Sequence, residues 1–522
     1  MAEARTQAQT DGAPSRIGIG LWAGGLALFA ILLAAKFILG ARLDLFGDGA
    51  FYWLESRHPA ISYSDVPFLT PLMVGLGTAL IGDTVLGARI LFIAVGSTLP
   101  LALYWLAHPI VGHRDAVIAA IFSLLVPVPA LLGLLVIPDV PLLILSVLTL
   151  GALERAIRTS RRGWWIATGL FAALAFNAHY RFVFFALAVL LYLTLTAQGR
   201  RHWRDRNLYI ATAIALVGLV PLLWFNLSNR LAGIAFHFVD RHPWQFDPQG
   251  LLYLVTQAIW VTPLIFAACA VTLWHLICKA RGGDAHALPM VWFPAAYLVP
   301  FTVLSPWAVG GNSTTGHWSL FAYIPLLIYL PQTLRHLGRF AWIVPASGVA
   351  FMALVLTSVT LTAYYPIISD SARRLATDKL SGWGAVGAAT ERMLAENDLP
   401  ADTPILTQTY YVSSLLAHTT KRSSGIYNID SEKIFRHGRA VQRAIWGFDE
   451  AGLRRDHPGG QALVVIEGTW LNTQRLCTIF SNIRPVGAFD VFEGERQYRF
   501  YVGEEVMATA PETADRDCLV EE

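Results

Sequence analysis

Residues 17–40 read IGIGLWAGGLALFAILLAAKFILG, and Leu45-Phe46-Gly47-Asp48-Gly49-Ala50-Phe51-Tyr52-Trp53 follows at once. The apolar run exceeds a signal-peptide core of about 7–15 residues and is long enough to cross a bilayer. It reads as an uncleaved anchor behind a polar tail, Met1 to Arg16. Asp48 therefore stands just outside a membrane helix. A carboxylate at a helix centre costs roughly 2.5–3.5 kcal/mol to insert, so acids near membrane depth face a cavity or perform chemistry. Two more acids share that setting: Asp65 in Tyr63-Ser64-Asp65-Val66-Pro67, and Asp139 in Ile137-Pro138-Asp139-Val140-Pro141-Leu142. Three such acids on one membrane side suggest an active site at the bilayer surface.

The rest of the chain fits this setting. Of its 522 residues, 55% are hydrophobic and only 14% charged, against about 25% charged in soluble domains. This is the composition of an integral membrane protein. A net charge of +3, with no basic strip interleaved with aromatics, excludes nucleic acid as a partner. The four cysteines form no CxxC, so neither a zinc knuckle nor a thioredoxin-like motif is present. No Walker A or dinucleotide fingerprint occurs, which argues against a soluble nucleotide-sugar donor.

Apolar stretches fall near 17–40, 87–107, 115–134, 138–153, 163–180, 182–197, 207–227, 251–277, 288–305, 317–333 and 340–363. Basic clusters separate alternate pairs: His113-Arg114, Arg155 to Arg162, Arg200 to Arg206, Lys279-Arg281 and Arg335 to Arg339. Cytoplasmic loops carry excess Lys and Arg, so these five share the inner side. The short stretch Phe68 to Ile81 would break that parity if it crossed, and reads as an interfacial or re-entrant helix. The expected fold is thus a membrane all-α bundle of about 11 spans, followed by an extracytoplasmic α/β domain. Residues 1–16 form a cytoplasmic tail. Residues 17–364 form the membrane domain, with its first outer loop at 41–86, and 365–522 form the outer domain. The same parity places Asp48, Asp65, the start of the Asp139 helix, His179-Tyr180-Arg181, the 228–250 loop and Asn312 to His317 on the outer side.

In the outer domain, Thr403 to Thr409, Ala462 to Glu467, Val486 to Phe492 and Arg496 to Val502 read as strands, and Arg436 to Trp446 as a helix. Cys477 and Cys518 both lie there. They either pair, as an outer compartment permits, or remain as a buried thiol and a free one.

Sugar transfer from a lipid phosphate needs a carboxylate to deprotonate an acceptor hydroxyl and cations to stabilise the leaving phosphate. Asp48 is the base candidate, flanked by glycines that admit a close approach. Tyr52 and Trp53 could stack on a sugar or anchor at the interface. The planar fork of Arg suits phosphate oxygens, and Arg241, in Phe236-His237-Phe238-Val239-Asp240-Arg241-His242, leads Arg57 and Arg181 for that role. Asp65 and His237 could offer oxygen and nitrogen ligands to a divalent metal, although no HxxxH or HExxH supports one. Asp139, between two prolines, reads as a helix cap more than a reactant. His317 and Trp318 could line an acceptor cleft or form an interfacial turn.

These motifs carry a resemblance. Gly47-Asp48-Gly49-Ala50-Phe51-Tyr52-Trp53 resembles the GDEAYYW element of bacterial GT-C glycosyltransferases, the dolichyl-phosphate-mannose protein mannosyltransferases and lipid A aminoarabinose transferases. Ser62-Tyr63-Ser64-Asp65-Val66-Pro67 stands where that family has GYFDHPP, and Pro138-Asp139-Val140-Pro141-Leu142 resembles PDAPL. The resemblance implies a bacterial inner-membrane enzyme with a polyprenyl-phosphate-sugar donor, an inverting single displacement on the periplasmic face, and a lipid, glycan or protein acceptor. It implies Asp48 as the acceptor-activating acid, Arg241 as a phosphate contact and, in some relatives, a metal at the positions of Asp65 and His237. Val66 stands where the family has His or Lys, which weakens first-loop phosphate binding and shifts weight to Arg57, Arg181 or Arg241. Gly49 stands where it has Glu, which weakens the detailed likeness to the protein mannosyltransferases. The competing class is a transporter or flippase for a lipid-linked sugar, but no internal repeat supports it.

Overall fold

The structure is a computed structural model and describes residues 16–236, 239, 244–308, 313–430, 439–468, 473–492, 494–511 and 518–520. The apolar anchor forms α1, Arg16–Arg42. Next come α2, Gly47–Arg57, α3, Leu69–Ile81, α4, Val85–Ser97, and α5, Leu99–Leu125. The bundle continues through α6, Asp139–Thr159, α7, Arg162–Ala178, α8, Val183–Leu195, α9, Arg206–Val217, and α10, Val220–Ser228. It ends with α11, Tyr253–Val261, α12, Pro263–Arg281, α13, Trp292–Ala308, α14, Tyr323–Arg335, and α15, Ile343–Ala363.

Every expected apolar stretch contains helix, but the count of eleven spans is not reproduced by length and composition. Six helices among the described residues meet that test, or eight if two bent pairs each count as one span. The shortfall has local causes. The helices α8 and α14 have 13 residues each, about 20 Å at 1.5 Å per residue, against a hydrocarbon core of about 30 Å. The longest apolar helix, Val85–Leu125, is broken at Gly112, whose φ of 79° lies in the region that favours glycine. That break is a hairpin. Along α1, Trp22 meets both Tyr104 and His113, Lys36 donates to Ser97 at 3.1 Å, and Leu43 packs with Leu134. One arm therefore runs back along the other. The stretch α3 has 13 residues and is too short to span upright.

The basic loops gather at one end of the bundle. Asp115 and Arg335 form a two-bond pair at 2.7 and 3.0 Å, and Glu154 pairs with Arg158 at 2.9 Å and with His286. Asp139, at the other end of the 21-residue α6, is about 22 Å along the helix from Glu154.

After α15 the chain builds a mixed sheet with helices α16, Trp383–Glu396, α17, Tyr410–Thr420, α18, Ala440–Trp446, and α19, Glu450–Asp456. The strands are β1, Ile405–Thr407, β2, Ile426–Asn428, β3, Ala462–Glu467, β4, Phe480–Val491, and β5, Arg496–Val506, in the order β2-β1-β3-β5-β4. Strands β1, β2 and β3 are parallel, while β5 runs antiparallel to β3 and β4. Alternation along β3 divides the core in two. Leu463 and Val465 join the large cluster that continues through Trp53 into the bundle, whereas Ala462, Val464 and Ile466 face a second cluster with Cys477 and Cys518. Those two cysteines form a disulfide.

Candidate active site at the seam between bundle and sheet domain

Helix α2 is clasped between the two parts of the molecule. Arg89 fastens the end of α1 by donating to the carbonyls of Gly40, Leu43 and Asp44. The Trp383 backbone N–H then donates to the Asp44 carboxylate at 2.8 Å, tying this corner to the sheet domain. Gly47 opens α2 against α17, where an added Cβ would lie 2.7 Å from Cβ of Tyr411. Gly49 faces the bundle, where its Cβ would lie 3.2 Å from Cβ of Val136. The two glycines beside Asp48 thus let one helix touch both neighbours.

Asp48 sits in the first turn of α2 with its side chain 30% exposed. Its Oδ1 accepts from the Tyr410 phenol at 2.9 Å and from Arg439 Nη2 at 3.0 Å. The same guanidinium is ion-paired through Nη1 to Asp65 Oδ2. Arg439 is buried, and its charge lies over three rings, at 4.3 Å from the centroid of Phe51, 5.5 Å from Tyr52 and 5.3 Å from Tyr410. Burial opposes that charge, but Tyr52, Asp48 and Glu55 outweigh it and hold the group more firmly protonated than an ordinary arginine. Glu55, two turns beyond Asp48, is fully buried, and neither carboxylate oxygen has a hydrogen-bond partner among the described residues. Burial pushes its carboxyl well above the usual range; Arg439 pulls it back and Asp48 pushes it further up.

A second cluster stands alongside. Arg181 grips Asp139 with two parallel bonds of 2.8 Å and stacks over Trp318 at 5.1 Å. His317 Nε2 lies 3.8 Å from the same carboxylate. The two clusters are joined by the Tyr180 hydroxyl, which donates to the Tyr63 carbonyl at 3.3 Å. Asp139 stands in the first turn of its helix, and its carboxylate is held there by the Arg181 fork.

The structure therefore brings Asp48 and Asp65 together through Arg439, and Asp139, Arg181, His317 and Trp318 into an adjoining group. Arg57 is placed elsewhere. It pairs with Asp83 at 2.8 Å and lies over Trp53 at 4.8 Å. Trp53 is buried with its indole N–H donating to Asp83 at 2.7 Å, and Tyr52 is buried too. In this structure neither ring lies open for a sugar to stack on. Arg241 and His237 lie outside the described residues. Their loop departs beside the acids, since an added Cβ on Gly233 would stand 3.3 Å from the Ser64 carbonyl. Near Asp65 a cavity of about 530 Å³ opens at the seam, lined in part by Arg57, His58, Ser62, Trp224, Gln442 and Trp446. Asp48 is not among its walls.

Of the two ligands suggested for a divalent ion, His237 lies outside the described residues. Asp65 Oδ2 is already held by Arg439, and no three His, Cys, Asp or Glu side chains gather as ligands among the described residues.

Sequence reasoning missed Arg439, Tyr410 and Asp83. Arg439 stands just ahead of α18, inside the segment expected to be helical, but its contact with Asp48 spans 391 residues and no local spacing marks it.

Comparison with known proteins agrees with this architecture. Residues 65–225 match the family model described as Dolichyl-phosphate-mannose-protein mannosyltransferase. Lipid A galacturonosyltransferase RgtD of Rhizobium johnstonii is 25% identical over 286 residues, covering 54% of this chain and 59% of that protein. The match thus spans little more than half of that curated relative. ArnT from Cupriavidus metallidurans superposes in its undecaprenyl-phosphate-bound form with a TM-score of 0.62 and in its apo form with 0.64. In both cases 94% of this chain and 99% of that one are covered at 17% identity, a likeness of fold. The matched stretch, the curated relative and the fold are thus each similar to GT-C glycosyltransferases.

Proposed function

We propose that this chain is a bacterial inner-membrane enzyme that moves a sugar from a polyprenyl-phosphate donor to a lipid, glycan or protein acceptor on the periplasmic face. Asp48 takes the proton from the acceptor hydroxyl. The freed oxygen attacks the anomeric carbon from the face opposite the phosphate, and the carbon–oxygen bond to phosphate breaks with its electron pair leaving on the phosphate. One displacement inverts the anomeric centre. The observation that carries this reading is Asp48 itself, a partly open carboxylate oriented by Tyr410 and Arg439 where the bundle meets the sheet domain.

The division into a tail at 1–16, a membrane domain at 17–364 and an outer domain at 365–522 belongs to the same proposal. So does the periplasmic side, which the basic loops at the far end support. For the leaving phosphate the reading favours Arg241, whose loop starts beside Asp65. Arg181 and Arg57 are already held by Asp139 and Asp83 and would have to exchange a carboxylate for the phosphate. No step is routed through a metal.

The test compares cells with and without the gene by mass spectrometry of envelope glycolipids and glycans. A single species that loses one sugar mass in the deletion identifies substrate and product together. Loss of the sugar with intact donor accumulating on the cytoplasmic side would point to transport instead.

A further inference from the structure

We propose that Arg439 is a positioning residue for Asp48, through which the sheet domain keeps the base ionised and aimed within a crowd of acids. The inference rests on the reading of Asp48 as the acceptor base. Three carboxyl groups belong to this corner: Asp48 and Glu55 on α2, and Asp65 on the loop that follows it. Carboxyls that share a site cannot all ionise without a counter-charge, and one of them then keeps a proton. A protonated Asp48 could not accept the acceptor's proton.

Arg439 supplies the counter-charge by geometry. One nitrogen of its fork meets Asp48 and the other meets Asp65. The fork is planar and is fixed over Phe51, Tyr52 and Tyr410, so it orients as well as neutralises. Among the described residues the titratable or charged groups around Asp48 are Arg439 ahead of α18, Tyr410 on α17, Asp65 on the loop, and Tyr52 and Glu55 on α2 itself. Arg439 is the cation of that set. Because it comes from the sheet domain, the base is complete only when that domain is docked.

The decisive readout is the acid limb of the pH profile for sugar transfer. The full-length purified protein is supplied with polyprenyl-phosphate-linked sugar, and membranes of gene-deleted cells serve as acceptor. Removing a cation raises the pKa of a neighbouring carboxyl, so Arg439→Gln should move the acid limb to higher pH by about 1 or more. Arg439→Lys keeps the charge and should restore most of the wild-type position. Asp65→Asn removes a competing anion and should move the limb the other way, to lower pH. A loss of rate in Arg439→Gln with an unmoved limb would show a merely structural contact and overturn the proposal. If that variant does not fold, Asp65→Asn decides: a downward move supports the shared fork and an unmoved limb refutes it. Transfer that survives Asp48→Asn would instead overturn the base assignment, and this inference with it.

Discussion

Replacing Arg181 by methionine tests whether the second cluster is a structural keystone of the site. The Arg181 and Asp139 side chains are only 9% and 14% exposed and share two bonds of 2.8 Å. Removing the arginine leaves a buried carboxylate without its fork, for which about 3–5 kcal/mol is typical. His317, 3.8 Å away, can take up a proton and meet part of that demand, so the lower end, about 3 kcal/mol, is expected. Each kcal/mol moves Tm by about 2 °C in a large domain, which gives a drop of about 6 °C. Asp139→Leu alone should cost a similar amount by stranding the guanidinium. The double variant Arg181→Met with Asp139→Leu exchanges charges for apolar groups and should return close to wild type. Thermal unfolding in detergent at one fixed scan rate measures all four proteins. Single variants that melt with wild type, or a double variant that melts at the sum of the two losses, would refute the reasoning.

Three other outcomes follow from the same contacts. Gly47→Ala should lower stability by about 1–3 kcal/mol, because a Cβ at 2.7 Å from Tyr411 outweighs the roughly 1 kcal/mol that alanine gains in a helix; thermal melts and transfer assays of the variant check both consequences. Glu55 has a folded-state carboxyl pKa raised above its unfolded value, chiefly by burial. Its stabilising share is therefore complete at acid pH and is lost as pH rises from the ordinary carboxylate range toward the raised value. Glu55→Gln should remove that decline, so its Tm should match wild type at low pH and exceed it at neutral pH. Replacing both Cys477 and Cys518 by serine should cost about 4 kcal/mol by the loop-entropy estimate for a separation of 41 residues, read as a lower melting temperature of the sheet domain.

Much of this architecture is legible in sequence because membranes impose strong local rules. Long apolar runs and basic loops sort the chain by position alone, and the structure gathers Asp115–Arg335 and Glu154–Arg158 at the end those loops predicted. Asp48, Asp65 and Asp139 stand out because a carboxylate beside an apolar helix needs a reason. Span count was less legible, since α8 and α14 are shortened by the turns beside them and Gly112 folds one apolar helix into a hairpin. In the sheet domain β3 appears with its expected limits, whereas β2 has three residues and no alternation long enough to register. Partnerships were the least legible. Arg181 was visible as a cation and Asp139 as a helix start, yet nothing in either segment shows that each takes the other. Arg439 is one arginine in a basic helical segment, and only the docking of the sheet domain on α2 selects it.

The most direct measurement follows labelled sugar from a polyprenyl-phosphate donor into envelope membranes that lack the gene, catalysed by purified wild-type protein and by Asp48→Asn. General-base loss is worth about 10²–10⁴-fold. The account predicts product with an inverted anomeric centre from the wild type and a loss of that size in the variant. Undiminished transfer by Asp48→Asn, or product with retained configuration, would contradict it.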